Sequence, residues 1–89
     1  MSAPRYPVIV LTTVLEEIVK AKGEIKASDL FSKLIRMFKL SPSDIMEYLM
    51  ILEIRGYISI SSRESGEPYL IRITEYGKRV IAESMKPRV

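Results

Sequence analysis

Histidine, cysteine, tryptophan, asparagine and glutamine are absent from all 89 residues of the chain. Each absence removes a chemistry. Without His there is neither the commonest general base nor a side chain that titrates near neutral pH, and without Cys there is no thiol nucleophile, disulfide frame or thiolate metal ligand. The carboxylates are spread along the chain as helix caps and solvated charges rather than paired, and there is no Gly-rich phosphate loop or metal-ligand spacing. We therefore expect no enzyme, no cofactor and no metal. Long hydrophobic runs are missing too: the longest, Val8 to Leu15, is broken by Thr12 and Thr13. That is far short of the roughly 20 apolar residues of a spanning helix, and no small-residue cleavage site follows it, so it reads as part of the fold and not as a membrane or signal segment. The lack of cysteine fits a cytoplasmic protein.

What remains is globular in character, with 47% apolar and 28% charged residues, and the length allows one domain built on one core. We expect a single domain spanning 1–89, its core about 8–85 and its ends mobile. A net charge of +3 and a pI near 9.3 permit a polyanionic partner without demanding one. Twelve Ile beside many Lys, Arg and Glu, with Asn, Gln and Cys missing, resembles a thermophile's composition.

The best-defined segment is Leu40 to Ile58. Ser41 is an N-cap with Pro42 at the first helical position, where a missing N–H costs nothing, and Asp44 lies at the positive end of the helix dipole. Gly56 supplies the stop, behind Arg55. Ile45, Tyr48, Leu49 and Leu52 recur at the spacing of a core-facing stripe. Ahead of it, Pro7 opens a helix to about Lys22 with Leu11, Leu15 and Ile18 on one face. Val10 and Val14, with Ile9 and Val19, widen its apolar surface, which suits either a central helix or a contact with a second subunit. Gly23 ends this helix, and Glu24 to Ala27 is a short extended link that reads as a connection or as one strand. Ser28 caps a second helix to about Phe38, with Leu30, Phe31, Leu34, Ile35 and Phe38 inward; Lys33, Arg36 and Lys39 form a basic stripe on its outer side.

Beyond Gly56 the chain changes period. Tyr57 to Ser61 alternates apolar and polar residues as a half-buried strand does, with Ile58 and Ile60 inward. Tyr69 to Ile73 repeats this with Tyr69, Ile71 and Ile73 on one face, and the Gly and Pro between Ser62 and Pro68 mark a hairpin loop. Thr74 caps a last helix to about Met85, apolar at Val80, Ile81 and Met85, with Pro87 beyond it.

The fold class read from this order is α+β and mostly α. It resembles a winged helix-turn-helix domain, three helices with a two-stranded wing and a C-terminal helix, similar to small transcription regulators of the MarR and PadR type. The residues that carry the likeness are Ser28-Asp-Leu, Leu40-Ser-Pro-Ser with Leu49, Leu52-Glu53 and Gly56-Tyr-Ile58, and Ile73-Thr-Glu-Tyr-Gly77. The turn Met37-Phe38-Lys39-Leu40 departs from the pattern in having no Gly.

The resemblance implies a DNA-binding regulator whose third helix enters the major groove while the second helix and wing hold phosphates. Carried over, the groove-facing positions are Ser43, Asp44, Met46, Glu47 and Met50. The phosphate-binding positions are Lys26, Lys33, Arg36, Lys39, Ser41, Arg63 and Arg72. Two acidic and two Met side chains suit a groove poorly, although a carboxylate accepts from a cytosine amino group and a Met touches a thymine methyl; without Asn or Gln, bidentate adenine readout by their amides is excluded. Binding to double-stranded DNA is expected to be weak and mostly non-specific for a monomer. A homodimer through the first and last helices, at Val10, Val14, Val80 and Met85, doubles the contacts. The competing reading starts from Met46, Met50, Ile51 and Ile54, an adaptable surface for a protein partner on the third helix, which makes the domain an adaptor or a subunit of a larger assembly.

Overall fold

The apolar surplus on the first helix has an internal explanation. A computed structural model describes residues 8–85, with side chains as far as Glu83, and in it helix α1 (Val8–Lys20) touches every neighbouring layer. Strand β1 (Glu24–Lys26), helices α2 (Ala27–Phe38) and α3 (Pro42–Ile54), strands β2 (Ile58–Ser62) and β3 (Pro68–Ile73) and helix α4 (Glu75–Met85) follow in order. A helix surrounded in this way buries more than one stripe. Val10 and Val14 are 3% and 0% exposed and belong to the chain's own interior. This corrects the expectation that they face a second subunit, while Val8, Ile9 and Val19 are the large apolar α1 side chains left outside. The expected mobile lead-in, Pro7, Pro87 and the side chain of Met85 lie outside the described residues.

Around α1 the core closes with Ile18, Leu30, Leu34, Ile45, Leu49, Leu52 and Ile71, all essentially without solvent contact. Each such side chain contributes about 1.5–3 kcal/mol relative to exposure. The sheet beside them is antiparallel in the order β1-β3-β2. Ile25, Ile71 and Ile60 lie abreast, and Ile58 faces Ile73, so the inner face is a layer of isoleucines. The expected wing thus gains a third strand, β1, which pairs with β3 through only three residues.

The helix ends show how the turns were written. At α3 the Asp44 N–H donates to Ser41 Oγ at 3.2 Å with Pro42 in the first turn, as expected. Its C-terminus closes with two bonds, Gly56 N–H to the Glu53 carbonyl and Tyr57 N–H to the Leu52 carbonyl, each 2.9 Å, while Gly56 takes φ +81°. That is the paired closure a left-handed residue permits. Ser28, by contrast, is not a cap. α2 starts at Ala27 with Lys26 in the capping position and no side-chain bond, because β1 runs straight into the helix with Ile25 and Ala27 both buried. In the turn between α2 and α3, Lys39 adopts φ +55° and its N–H bonds to the Ile35 carbonyl at 2.8 Å. A lysine there does what Gly does in many such turns, at a conformational cost of about 1 kcal/mol.

Two devices tie α3 to its surroundings. Thr74 Oγ1 accepts from the Gly77 N–H at 3.0 Å and donates to the Gly56 carbonyl at 2.6 Å, so the cap of α4 also grips the exit of α3. Gly77 is required at that spot because a Cβ would collide with the Tyr57 carbonyl oxygen. On the other side, Glu53 reaches from α3 to accept the Ile60 N–H of β2 at 3.1 Å.

Candidate nucleic-acid interface

Three segments far apart in sequence converge on one cleft. The β1–α2 junction brings Lys26, Ala27 and Ser28, α2 brings Phe31, the start of α3 brings Pro42, and the wing brings Arg63, Glu67, Pro68 and Tyr69. The cleft has a volume of about 790 Å³. Its lining mixes apolar side chains with two cations, Lys26 from the β1–α2 junction and Arg63 from the wing. Neither cation has an ion-pair partner among the described residues, so both are available to an anion.

The wing tip is held by its own backbone. Arg63 N–H bonds to the Glu67 carbonyl at 2.7 Å and Gly66 N–H to the Arg63 carbonyl at 2.8 Å, with Gly66 at φ +92°. A register irregularity between Ser61 and Ser62 sets this tip apart from the regular ladder. The Arg63 guanidinium lies 4.6 Å from the centroid of the Tyr69 ring. Tyr69 is therefore not the inward residue its alternation predicts: it is 46% exposed. β3 overhangs the core at this end, and the face that carries Ile71 and Ile73 inward carries Tyr69 to the cleft.

The remaining cations are placed differently. Lys33 Nζ is 2.8 Å from Glu17 Oε1, and Lys20 Nζ is 3.5 Å from Glu17 Oε2. Glu17 is the buried charged residue of the described chain, 8% exposed, and the hydrogen bond from Lys33 holds its carboxyl below its ordinary value against the opposing effect of burial. Arg36 lies beside this pair, in a separate pocket of about 310 Å³ shared with Glu17, Lys33 and Met37. The basic stripe on α2 thus faces α1 at Lys33 and does not open onto the cleft. Arg72 sits on the outer face of β3 opposite Glu24 and lies 3.5 Å from its carboxylate. Lys39 is exposed in the interhelical turn.

On α3 the outer face carries Ser43, Asp44, Glu47, Met50 and Ile54, all exposed. The carboxylates of Asp44 and Glu47 have no partner among the described residues. Met46 departs from the expected set, being half-buried and packed against the core. Ile51 is also half-buried, whereas Ile54 is 81% exposed. On α4 Val80 is half-buried. Among the described residues no helix is long and apolar enough to cross a membrane, and no group of three or more acidic side chains is placed to hold a metal ion.

Sequence reasoning found Lys26 and Arg63 but not Tyr69 or Phe31, whose roles depend on where the wing folds back. A doublet of an aromatic at a strand end and an arginine across a hairpin loop was the available signal.

No family model matches the chain, and no curated protein does. Two solved structures are similar to it. One is F93 from STIV, a winged-helix DNA-binding protein, with a TM-score of 0.73 and 17% identity over 90% of this chain and 87% of that one. The other is a candidate transcriptional regulator from Thermoplasma acidophilum, with a TM-score of 0.66 and 21% identity over 88% of this chain and 78% of that one. At these identities the likeness is one of fold, and the four helices and three-stranded antiparallel sheet of this chain form a winged helix.

Proposed function

We propose that the chain is a DNA-binding transcriptional regulator of the small MarR and PadR type, whose cleft between α2, α3 and the wing seats one strand's backbone of a duplex. The observation that carries this reading is the convergence of Lys26 and Arg63, both free of carboxylate partners, on a cleft bounded by the start of α3. The names of both structural neighbours point the same way. Ser41 and Ser43 bring hydroxyls to the same end of α3, and Lys39 and Arg36 add positive potential nearby in sequence. With the cleft on a backbone, the outer face of α3 lies in the major groove. Glu47 and Asp44 then accept from cytosine amino groups and Met50 meets a thymine methyl, while phosphate contacts supply most of the affinity.

The unit that binds is a homodimer formed through the first and last helices, with Val8 and Ile9 at its contact in place of Val10 and Val14. Titrating random duplex DNA across a salt series tests the whole reading. The expected log–log slope is about 0.9 for each phosphate contact. No binding at low salt defeats it. Sedimentation of Val8→Glu with Ile9→Glu should yield a monomer that binds DNA more weakly.

A second reading is favoured by one observation, the 81% exposure of Ile54 next to the 52% exposure of Met50 on the same helix. This apolar surface suits a protein partner, with the domain acting as an adaptor. It is selected over the first reading if the chain binds no duplex and Met50→Ser with Ile54→Ser abolishes a stoichiometric protein complex.

A further inference from the structure

We propose that Tyr69 is a positioning residue for DNA, holding the Arg63 guanidinium across the mouth of the cleft so that it meets Lys26 on either side of one backbone strand. The inference rests on the DNA-binding reading above. Its basis is the stack itself, with the guanidinium 4.6 Å from the ring centroid. An arginine on a hairpin tip ordinarily sweeps through many rotamers and loses side-chain entropy when fixed. Here both ends of the side chain are already constrained. Its backbone is bonded to Glu67 and Gly66 within the loop, and its head lies on Tyr69. The ring contact is made through the guanidinium's charge and brings no hydrogen-bond acceptor to it, so its N–H groups are not committed and can fork onto a phosphate.

The electrostatics of the tip make that positioning matter. Glu67 lines the same cleft and Glu64 is exposed in the same loop, so an unrestrained Arg63 has two carboxylates within reach along the chain. No ion pair to either is formed, and the ring is what the guanidinium contacts instead. Tyr69 thereby keeps the wing's cation available. The half-buried Phe31 and Pro68 complete an apolar surface beneath it that suits the carbon face of a deoxyribose.

The test is a double-mutant cycle read by duplex-DNA titration on the full chain. Tyr69→Phe retains the ring and should bind within twofold of the unmodified chain. Tyr69→Leu should weaken binding roughly three- to tenfold, the range of an exposed cation–π contact with its ordering effect. Arg63→Gln should lower the salt slope by about 0.9, and adding Tyr69→Leu to it should change nothing further. In NMR spectra the ring-current shift of the Arg63 δ-methylene protons should disappear in Tyr69→Leu, with the backbone fingerprint otherwise retained. Equal losses from Tyr69→Leu in the presence and absence of Arg63, or no loss at all, overturn the inference while leaving DNA binding intact. Failure of the unmodified chain to bind duplex DNA overturns the underlying reading as well.

Discussion

Lys26 and Lys33 belong to the same stretch of chain, the first just before α2 and the second in its middle, yet their surroundings differ completely. Lys26 lines the same cleft as Arg63 and forms no ion pair among the described residues, although Glu67 shares that cleft. Lys33 donates to a nearly buried Glu17 at 2.8 Å. The first cation retains its field for a partner, whereas most of the second's is spent inside the chain. A tally of positive charge along a helix treats them alike. What separates them is whether a carboxylate on another element comes within reach.

The largest expected effect follows from the open pair. Lys26→Glu combined with Arg63→Glu should weaken duplex binding by roughly a hundredfold or more at low salt, since two phosphate contacts are lost and repulsion replaces them. Lys33→Gln combined with Arg36→Gln should leave the salt slope almost unchanged. Equal losses from the two double variants, measured by the same titration, would mean that the two lysines serve the partner alike.

The closed pair predicts a smaller effect, on stability. Lys33→Met should cost about 1 kcal/mol, a value reduced from that of a buried charged hydrogen bond because Lys33 is half-exposed. The sign of its pH dependence follows from the lowered Glu17 carboxyl. The stabilisation is complete above the ordinary value near 4.5 and disappears as pH falls through the lower folded value. Thermal melts between neutral and strongly acidic pH should therefore fall off more steeply for the unmodified chain than for Glu17→Gln.

The smallest effect concerns α3. Glu47→Ala removes a carboxylate from the phosphate field and should tighten binding to random duplex about two- to threefold, while weakening any preference for cytosine in binding-site selection. If both properties are unchanged, α3 does not lie in the groove.

Much of this architecture was readable beforehand. The ends of α3 were written in Ser41, Pro42 and Gly56, and the start of α4 in Thr74, because caps are local hydrogen-bond patterns with strong residue preferences. Ser28 misled for a local reason, its helix being entered directly from a strand. β1 was legible as a short extended segment placed where the winged-helix order has a short strand, but three residues carry no periodicity that would name its partner in the sheet. The cleft was less legible. Lys33 and Glu17 are 16 residues apart, so their bond cannot be seen in either helix alone. Tyr69 fitted the alternation of β3, but alternation names a face and not what lies opposite it. At Ile71 that is the core; at Tyr69 it is the arginine of the wing.

The bond from Glu53 to the Ile60 N–H has a consequence for how copies of this chain meet. β2 is an edge strand, and a free row of outward amides on such a strand is a template on which another chain can add. Here one of those amides already holds a carboxylate from the chain's own helix, which places a negative charge where an incoming backbone carbonyl would have to dock. The opposite edge, β1, offers only three residues. With one rim guarded and the other too short to extend, growth of the sheet into a shared ladder or a fibre is disfavoured. At high concentration the chain is expected to associate through its helices and to remain free of amyloid-like deposits.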